Sequence, residues 1–198
     1  MSNTARDADY FTQRYGLTAT HSEVLEASKS IAPCKTLDLG CGRGRNALYL
    51  GSLGFDVTAV DANPSAVQTL DQIIAAEGID NVKTALYDIN QAALDDSYDF
   101  IVSTVVLMFL QAGRIPDVIA NMQASTNSGG HNLIVCAMDT EAYPCDRFSF
   151  KFGEGELKDY YKGWTFLKYN ENVGSLHRTD ADGNRLQFQF ATMLAKKP

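Results

Sequence analysis

Between Thr36 and Met138 the chain repeats one pattern, a short apolar run followed by an amphipathic stretch. The runs Thr36–Leu39 (TLDL), Asp56–Val60 (DVTAV), Val82–Tyr87, Tyr98–Thr104 (YDFIVST) and Asn132–Met138 (NLIVCAM) have the length and bounds of strands. The last is apolar throughout, as a strand covered on both faces should be. Asn46–Leu53 reads as a helix closed by Gly54. Asn63-Pro64 supplies an N-cap and a first-turn proline for the next helix. That helix places Ala66, Val67, Leu70, Ile73 and Ile74 on one face and ends at Gly78. A third, around Ile115–Gln123, carries Ile115, Val118, Ile119 and Met122 on one stripe. Such alternation over about 100 residues predicts right-handed crossovers and a parallel sheet with helices on both faces.

The two ends differ from this core. Thr20 and Glu23 have the spacing of a capping box ahead of a helix carrying Val24, Leu25 and Ile31. Trp164–Tyr169, Val173–Thr179 and Arg185–Leu194 read as strands, the last two separated by the turn residues 180–184. Leu186, Phe188 and Phe190 alternate with Gln187 and Gln189, so antiparallel strands are expected to close the parallel sheet. The predicted fold is therefore α/β and Rossmann-like, a mostly parallel sheet with antiparallel C-terminal strands.

A length of 198 residues predicts one domain. Within it, residues 1–33 form an N-terminal helical cap, 34–138 the ligand-binding core, and 139–198 an acceptor-side loop and the final strands. Seventeen Lys and Arg against 24 Asp and Glu leave a net charge of −7, which argues against nucleic acid or an anionic membrane surface as partner. No apolar run approaches the roughly 18 residues that span a bilayer. Residues 1–7 lack the apolar core of a signal peptide, so a cytoplasmic domain is expected. Cys34, Cys41, Cys136 and Cys145 contain no CxxC pair, so reduced thiols and no metal are expected.

The candidate chemistry begins at residues 36–46, TLDLGCGRGRN. Gly40, Gly42 and Gly44 follow a strand and open a helix, so the backbone can turn sharply and a ligand can approach its amides. A dinucleotide fingerprint needs GxGxxG, but its third glycine position is Arg45 here. Asp38, two residues before the first glycine, suits a ligand with a cationic ammonium group better than a pyrophosphate. Asp61 closes the second strand, 21 residues past Gly40, where a carboxylate can accept both hydroxyl protons of a ribose. Asp88 follows the third strand, placed to accept from an adenine amino group while Ile89 packs on the ring. Together these residues read as a site for S-adenosylmethionine.

DLGCGRGRN, with Asp61 and Asp88 at strand ends, resembles the class I S-adenosylmethionine-dependent methyltransferases. The segments THSEVLEA (Thr20–Ala27), STVVLMFL (Ser103–Leu110), AMDTEAYPC (Ala137–Cys145) and GSLHRTDADGNR (Gly174–Arg185) resemble, more narrowly, the bacterial tellurite-resistance methyltransferases. Arg43 departs from that pattern where a small polar residue is usual, and Asn127-Ser128-Gly129-Gly130 replaces a Lys-Pro-Gly-Gly turn. The resemblance implies a seven-stranded sheet and methyl transfer to tellurite, and with it selenium oxyanions, as detoxification. It implies a cofactor set of Arg14, Thr18, Asp38, Gly40, Cys41, Gly42, Asn46, Asp61, Ala62, Asp88, Ile89 and Val105, with His177 and Arg178 acting on the acceptor.

Other readings stand beside these. Arg14 is either a partner for the methionine carboxylate or a surface residue on a packing helix. His21 reads as a structural hydrogen-bonder and His131 as a solvated turn residue. His177 and Arg178 are neighbours on a strand, so both reach one pocket only if a turn or bulge intervenes. Cys41 reads as a small residue filling the turn; Cys145, after Tyr143-Pro144, is the better candidate for redox involvement, though methyl transfer needs no enzyme nucleophile. Two alternatives to tellurite methylation are a methyltransferase for a small organic thiol, amine or hydroxyl, and a non-catalytic binder with the same fold. The fourth strand leads into Ser103–Leu107 (STVVL), with no Asp/Asn-Pro-Pro-aromatic motif, which disfavours amide and nucleobase acceptors.

Overall fold

The computed structural model describes the backbone of residues 7–179, 183 and 185–198; for 175–179, 185 and 186 it describes backbone alone. Five strands, β1 (Lys35–Leu39), β2 (Asp56–Asp61), β3 (Val82–Leu86), β4 (Tyr98–Thr104) and β5 (Thr126–Ala137), run parallel. β7 (Arg185–Lys196) lies antiparallel between β5 and the edge strand β6 (Thr165–Thr179), giving the order β3-β2-β1-β4-β5-β7-β6. The three C-terminal runs expected from sequence are two strands. Asn170–Asn172 does not break β6, because each residue pairs with β7.

Alternating side chains divide the core between the two faces of the sheet. Phe100 and Val102 of β4 pack with Leu48 and Leu50 of α3 (Arg45–Ser52) and Leu70 and Ile73 of α4 (Pro64–Glu77). Phe11 of α1 (Tyr10–Tyr15) and Val24 of α2 (Ser22–Ala27) join that layer. Ile101, one residue out of phase, faces Val118 and Met122 of α5 (Ile115–Ala124) and Leu157 of α6 (Glu156–Tyr160).

α4 forms as its caps dictate. The Asn63 side chain accepts the Ser65 and Ala66 amides, Pro64 starts the first turn, and Gly78 ends it at φ +59°. The capping box expected at Thr20 and Glu23 does not form. His21 is the N-cap, its Nδ1 accepting the Glu23 amide, while the Thr20 hydroxyl donates to the Arg45 carbonyl. His131 is not a turn residue either. It pairs with Lys196 inside the sheet, and partial burial beside that lysine holds its imidazole below the usual pKa. Among the described residues no helix is long and apolar enough to cross a membrane.

Candidate active site

The sheet order reverses direction between β1 and β4. Loops leaving the carboxyl ends of these adjacent strands diverge, and open parallel sheets bind their ligands in the crevice so formed. A cleft of about 1030 Å³ lies there. Gly40, Cys41 and Gly42 line it from the β1 turn and Thr104, Val105 and Val106 from the end of β4. Leu17, Thr18 and His21 line it from the N-terminal segment, with Asn170, Phe190 and Thr192 from β6 and β7.

The glycine turn is built for close approach. A Cβ at Gly40 would stand 2.4 Å from Val106 Cγ1, so only glycine lets the two loops meet. At Gly42, φ is +54° and a Cβ would meet nothing within 4 Å, leaving bare backbone open to a ligand. The Gly42 amide donates to Asp61 Oδ2 at 2.8 Å and the Asn63 amide to Asp61 Oδ1 at 2.9 Å. Each oxygen of that carboxylate keeps a lone pair, so Asp61 is an anchored carboxylate with acceptor capacity to spare. This donor set and uncovered turn fit the ribose and methionine portions of S-adenosylmethionine.

Asp38 lies beneath the turn, only 1% exposed. Its Oδ2 accepts the Ala47 amide at 3.1 Å, capping the first turn of α3. Burial pushes its carboxyl up to about 7, against the opposing pull of that hydrogen bond and of Arg45. Burial, with Asp38 and Asp61 nearby, likewise drives the Cys41 thiol well above the usual range, so it is a neutral filler of the turn. Cys145 is buried under its own loop, its amide donating to Asp139 Oδ1 at 2.8 Å. Asn46 lines the cleft but has its amide engaged, accepting from the His21 amide at 3.1 Å and donating to Thr104 Oγ1 at 3.0 Å. It ties the N-terminal segment, α3 and β4 together.

Not every expected residue reaches the cleft. Asp88, exposed beyond β3, caps a 3-10 turn by accepting the Asn90 amide, and Ala62 is exposed beside Asp61. Ile89 is 5% exposed, packs into the core on the α5 side and is not among the residues lining this cleft. Arg14 is drawn away from the cleft by Glu77, the C-terminal residue of α4. The guanidinium lies 3.0 Å from Glu77 Oε1, and the Tyr10 and Tyr15 hydroxyls donate to the same buried carboxylate. This cluster fastens α1 to α4 and so positions Leu17 and Thr18 in the cleft wall.

Val105 carries a feature invisible in sequence. Its φ of +61° is the left-handed region, a costly conformation for a β-branched residue. Its amide donates to the Val135 carbonyl at 2.7 Å, which helps fix the bend where β4 leaves the sheet. Backbone strain of this kind gathers at functional sites.

Lys168, Asn170, Asn172 and Gly174, alternate residues of β6, all line the cleft. Sequence reasoning singled out none of them, although the polar spacing K-x-N-x-N was a signal of one polar strand face. Among the described residues, the charged side chains lining the cleft are Arg43, Arg45 and Lys168 against Glu23, a local positive excess in an acidic chain. His177 and Arg178 lie further along β6, and their side chains fall outside the described residues. The β6–β7 register is irregular there, with Ser175 opposite Gln187 but Thr179 opposite Arg185.

The sheet order, the switch-point cleft and the anchored carboxylate beside a GxGxG turn define a class I S-adenosylmethionine-dependent methyltransferase. A family profile described as "Tellurite resistance protein TehB" matches residues 3–194. The chain belongs to the TehB family. It is 57% identical over 190 residues to the "Probable S-adenosyl-L-methionine-dependent methyltransferase TehB" of Haemophilus influenzae strain 10810, covering 96% of this chain and 66% of that protein's length. The crystal structure of TehB from Haemophilus influenzae superposes with a TM-score of 0.94 at 55% identity, covering 96% of this chain and 67% of that one. The chain thus spans about two thirds of the length of these relatives. Magnesium protoporphyrin IX methyltransferase from Synechocystis, solved with bound S-adenosylhomocysteine, shares the fold at 16% identity and a TM-score of 0.69, covering 89% of this chain and 81% of that one.

Proposed function

We propose that this chain transfers the methyl group of S-adenosylmethionine to tellurite, with selenium oxyanions as further acceptors, detoxifying them in the cytoplasm. One observation carries the reading: in a chain of net charge −7, the cleft beside the glycine turn gathers Arg43, Arg45 and Lys168. Bound S-adenosylmethionine supplies a methyl carbon already activated by its sulfonium leaving group, so no enzyme nucleophile is required. The protein's task is to hold the two reactants in line and exclude water, which can supply on the order of 7–11 kcal/mol of the barrier. Asp61 takes the ribose hydroxyls, and Asp38 places negative charge under the ammonium end. His177 and Arg178 serve the acceptor, Arg178 by pairing its planar fork of donors with oxyanion oxygens and His177 by donating a hydrogen bond or moving a proton.

Phe109 favours a second reading. It is 64% exposed, lines the cleft and stands edge-on to Phe148 at 5.5 Å between centroids, an apolar wall suited to a small organic thiol or hydroxyl compound. Methyl transfer from labelled cofactor across tellurite, selenite and a panel of thiols, amines and phenols separates the two. Label on an oxyanion product is expected; label on organic acceptors alone would replace the first reading by the second.

The pH dependence tests the role of Asp38. With its carboxyl at about 7, acidification removes the negative charge that a cationic amino group needs nearby. Affinity for S-adenosylhomocysteine should therefore rise with pH between about 5.5 and 7.5, by up to about tenfold per unit, and level off above. Asp38→Asn should bind weakly with a flat profile. A flat wild-type profile in calorimetry would detach Asp38 from the cofactor's amino group.

A further inference from the structure

Lys168 on β6 and Glu23 on α2 are 145 residues apart in sequence, yet Nζ and Oε2 lie 2.5 Å apart where both side chains line the cleft. The two side chains are 38% and 18% exposed, so neither charge is fully hydrated. Lys168 begins the polar face that continues through Asn170 and Asn172, and Asn170 pairs with Thr192 across the sheet. Glu23 is the carboxylate among the described residues lining this cleft, and the lysine is already paired with it.

We propose that Lys168 is an oxyanion-binding residue of the acceptor site and that Glu23 is its resident competitor, holding the ammonium until the acceptor displaces it. The inference rests on the oxyanion reading above. In the transfer, the lone pair on tellurium forms the bond to carbon while the carbon–sulfur bond breaks and leaves its pair on sulfur. A tellurite dianion plus the sulfonium methyl becomes a methylated monoanion plus a neutral thioether. The acceptor thereby sheds one unit of negative charge. Lys168 holds the substrate more tightly than the product, and Glu23 recovers its partner as the product leaves. Lys168 contributes to binding rather than to the transition state, because charge on the oxygens falls as the reaction proceeds.

The test measures tellurite turnover, and tellurite binding to the S-adenosylhomocysteine complex, for wild type, Lys168→Gln, Lys168→Arg and Glu23→Gln. Lys168→Gln should raise both KM and Kd for tellurite by about tenfold, with kcat unchanged or raised by up to about threefold, the mark of binding lost mainly from the ground state. Lys168→Arg should restore most of that loss, and S-adenosylhomocysteine affinity should stay within about twofold throughout. Glu23→Gln should move the other way, lowering KM and Kd several-fold. A merely structural ion pair would make the Lys168→Gln and Glu23→Gln effects share one sign, and that result would overturn the proposal. Wild-type binding with an unaltered Lys168→Gln protein removes Lys168 alone from the site. No tellurite binding by wild type removes the oxyanion reading and this inference together.

Discussion

Asp61→Ala should weaken S-adenosylhomocysteine binding by roughly 1.5–3 kcal/mol, about 10- to 150-fold, the scale for hydrogen bonds to a charged group. The expectation is large because this carboxylate acts twice. On the proposed reading it accepts the ribose hydroxyls, and it holds the Gly42 amide at 2.8 Å and the Asn63 amide at 2.9 Å. Alanine removes the ligand contact and also frees the turn from its tether to β2. Asp61→Asn, which retains one acceptor oxygen, should fall between alanine and wild type. Calorimetry on the three proteins decides the matter, and unchanged affinity in Asp61→Ala would move the ribose elsewhere.

His177→Ala and Arg178→Ala should each cut tellurite methylation by about 10²-fold, the loss that follows removal of a general acid–base group or an oxyanion partner. Cofactor affinity should remain within a few-fold of wild type, since β6 is the edge strand, four places along the sheet from β1, whose end carries the glycine turn. In a regular strand these neighbours would point to opposite faces. Between Ser175 and Thr179 four residues of β6 advance against two of β7, and a shared direction requires an irregularity of this kind. Paired measurements of turnover and S-adenosylhomocysteine affinity on each mutant test the assignment, and full turnover in both would remove the pair from the acceptor site.

The cofactor half of the molecule was legible in the sequence because local chemistry specifies it. Asn63, Pro64 and Gly78 bound α4 whatever packs around it, and Gly40 must be glycine because Val106 leaves no room for a Cβ. What escaped was set by distant partners. Arg14 is turned by Glu77, a residue 63 positions later on another helix. Thr20 donates to the Arg45 carbonyl, 25 residues away, while His21 takes the N-cap position. Ile89 is taken by the core, since it follows directly on the exposed Asp88 and enters the α5 side of the sheet. The K-x-N-x-N spacing marks a polar face at Lys168, but its register against β7 decides that this face meets the cleft.

The position of β7 governs when the β6 wall of the cleft can come into existence. Among the described strands β7 comes last in sequence but stands second from the edge of the sheet, and β6 pairs with β7 alone. During synthesis the 15 residues of β6 leave the ribosome before the strand they must pair with has been made. The five parallel strands and the glycine turn can assemble earlier, so the cofactor end is complete while Lys168 and Asn170 still lack their scaffold. An unpaired strand of that length is exposed to wrong partners until residues 185–196 arrive. The β6 wall of the cleft thus forms after the glycine turn and, paired along one edge among the described strands, is open to fraying.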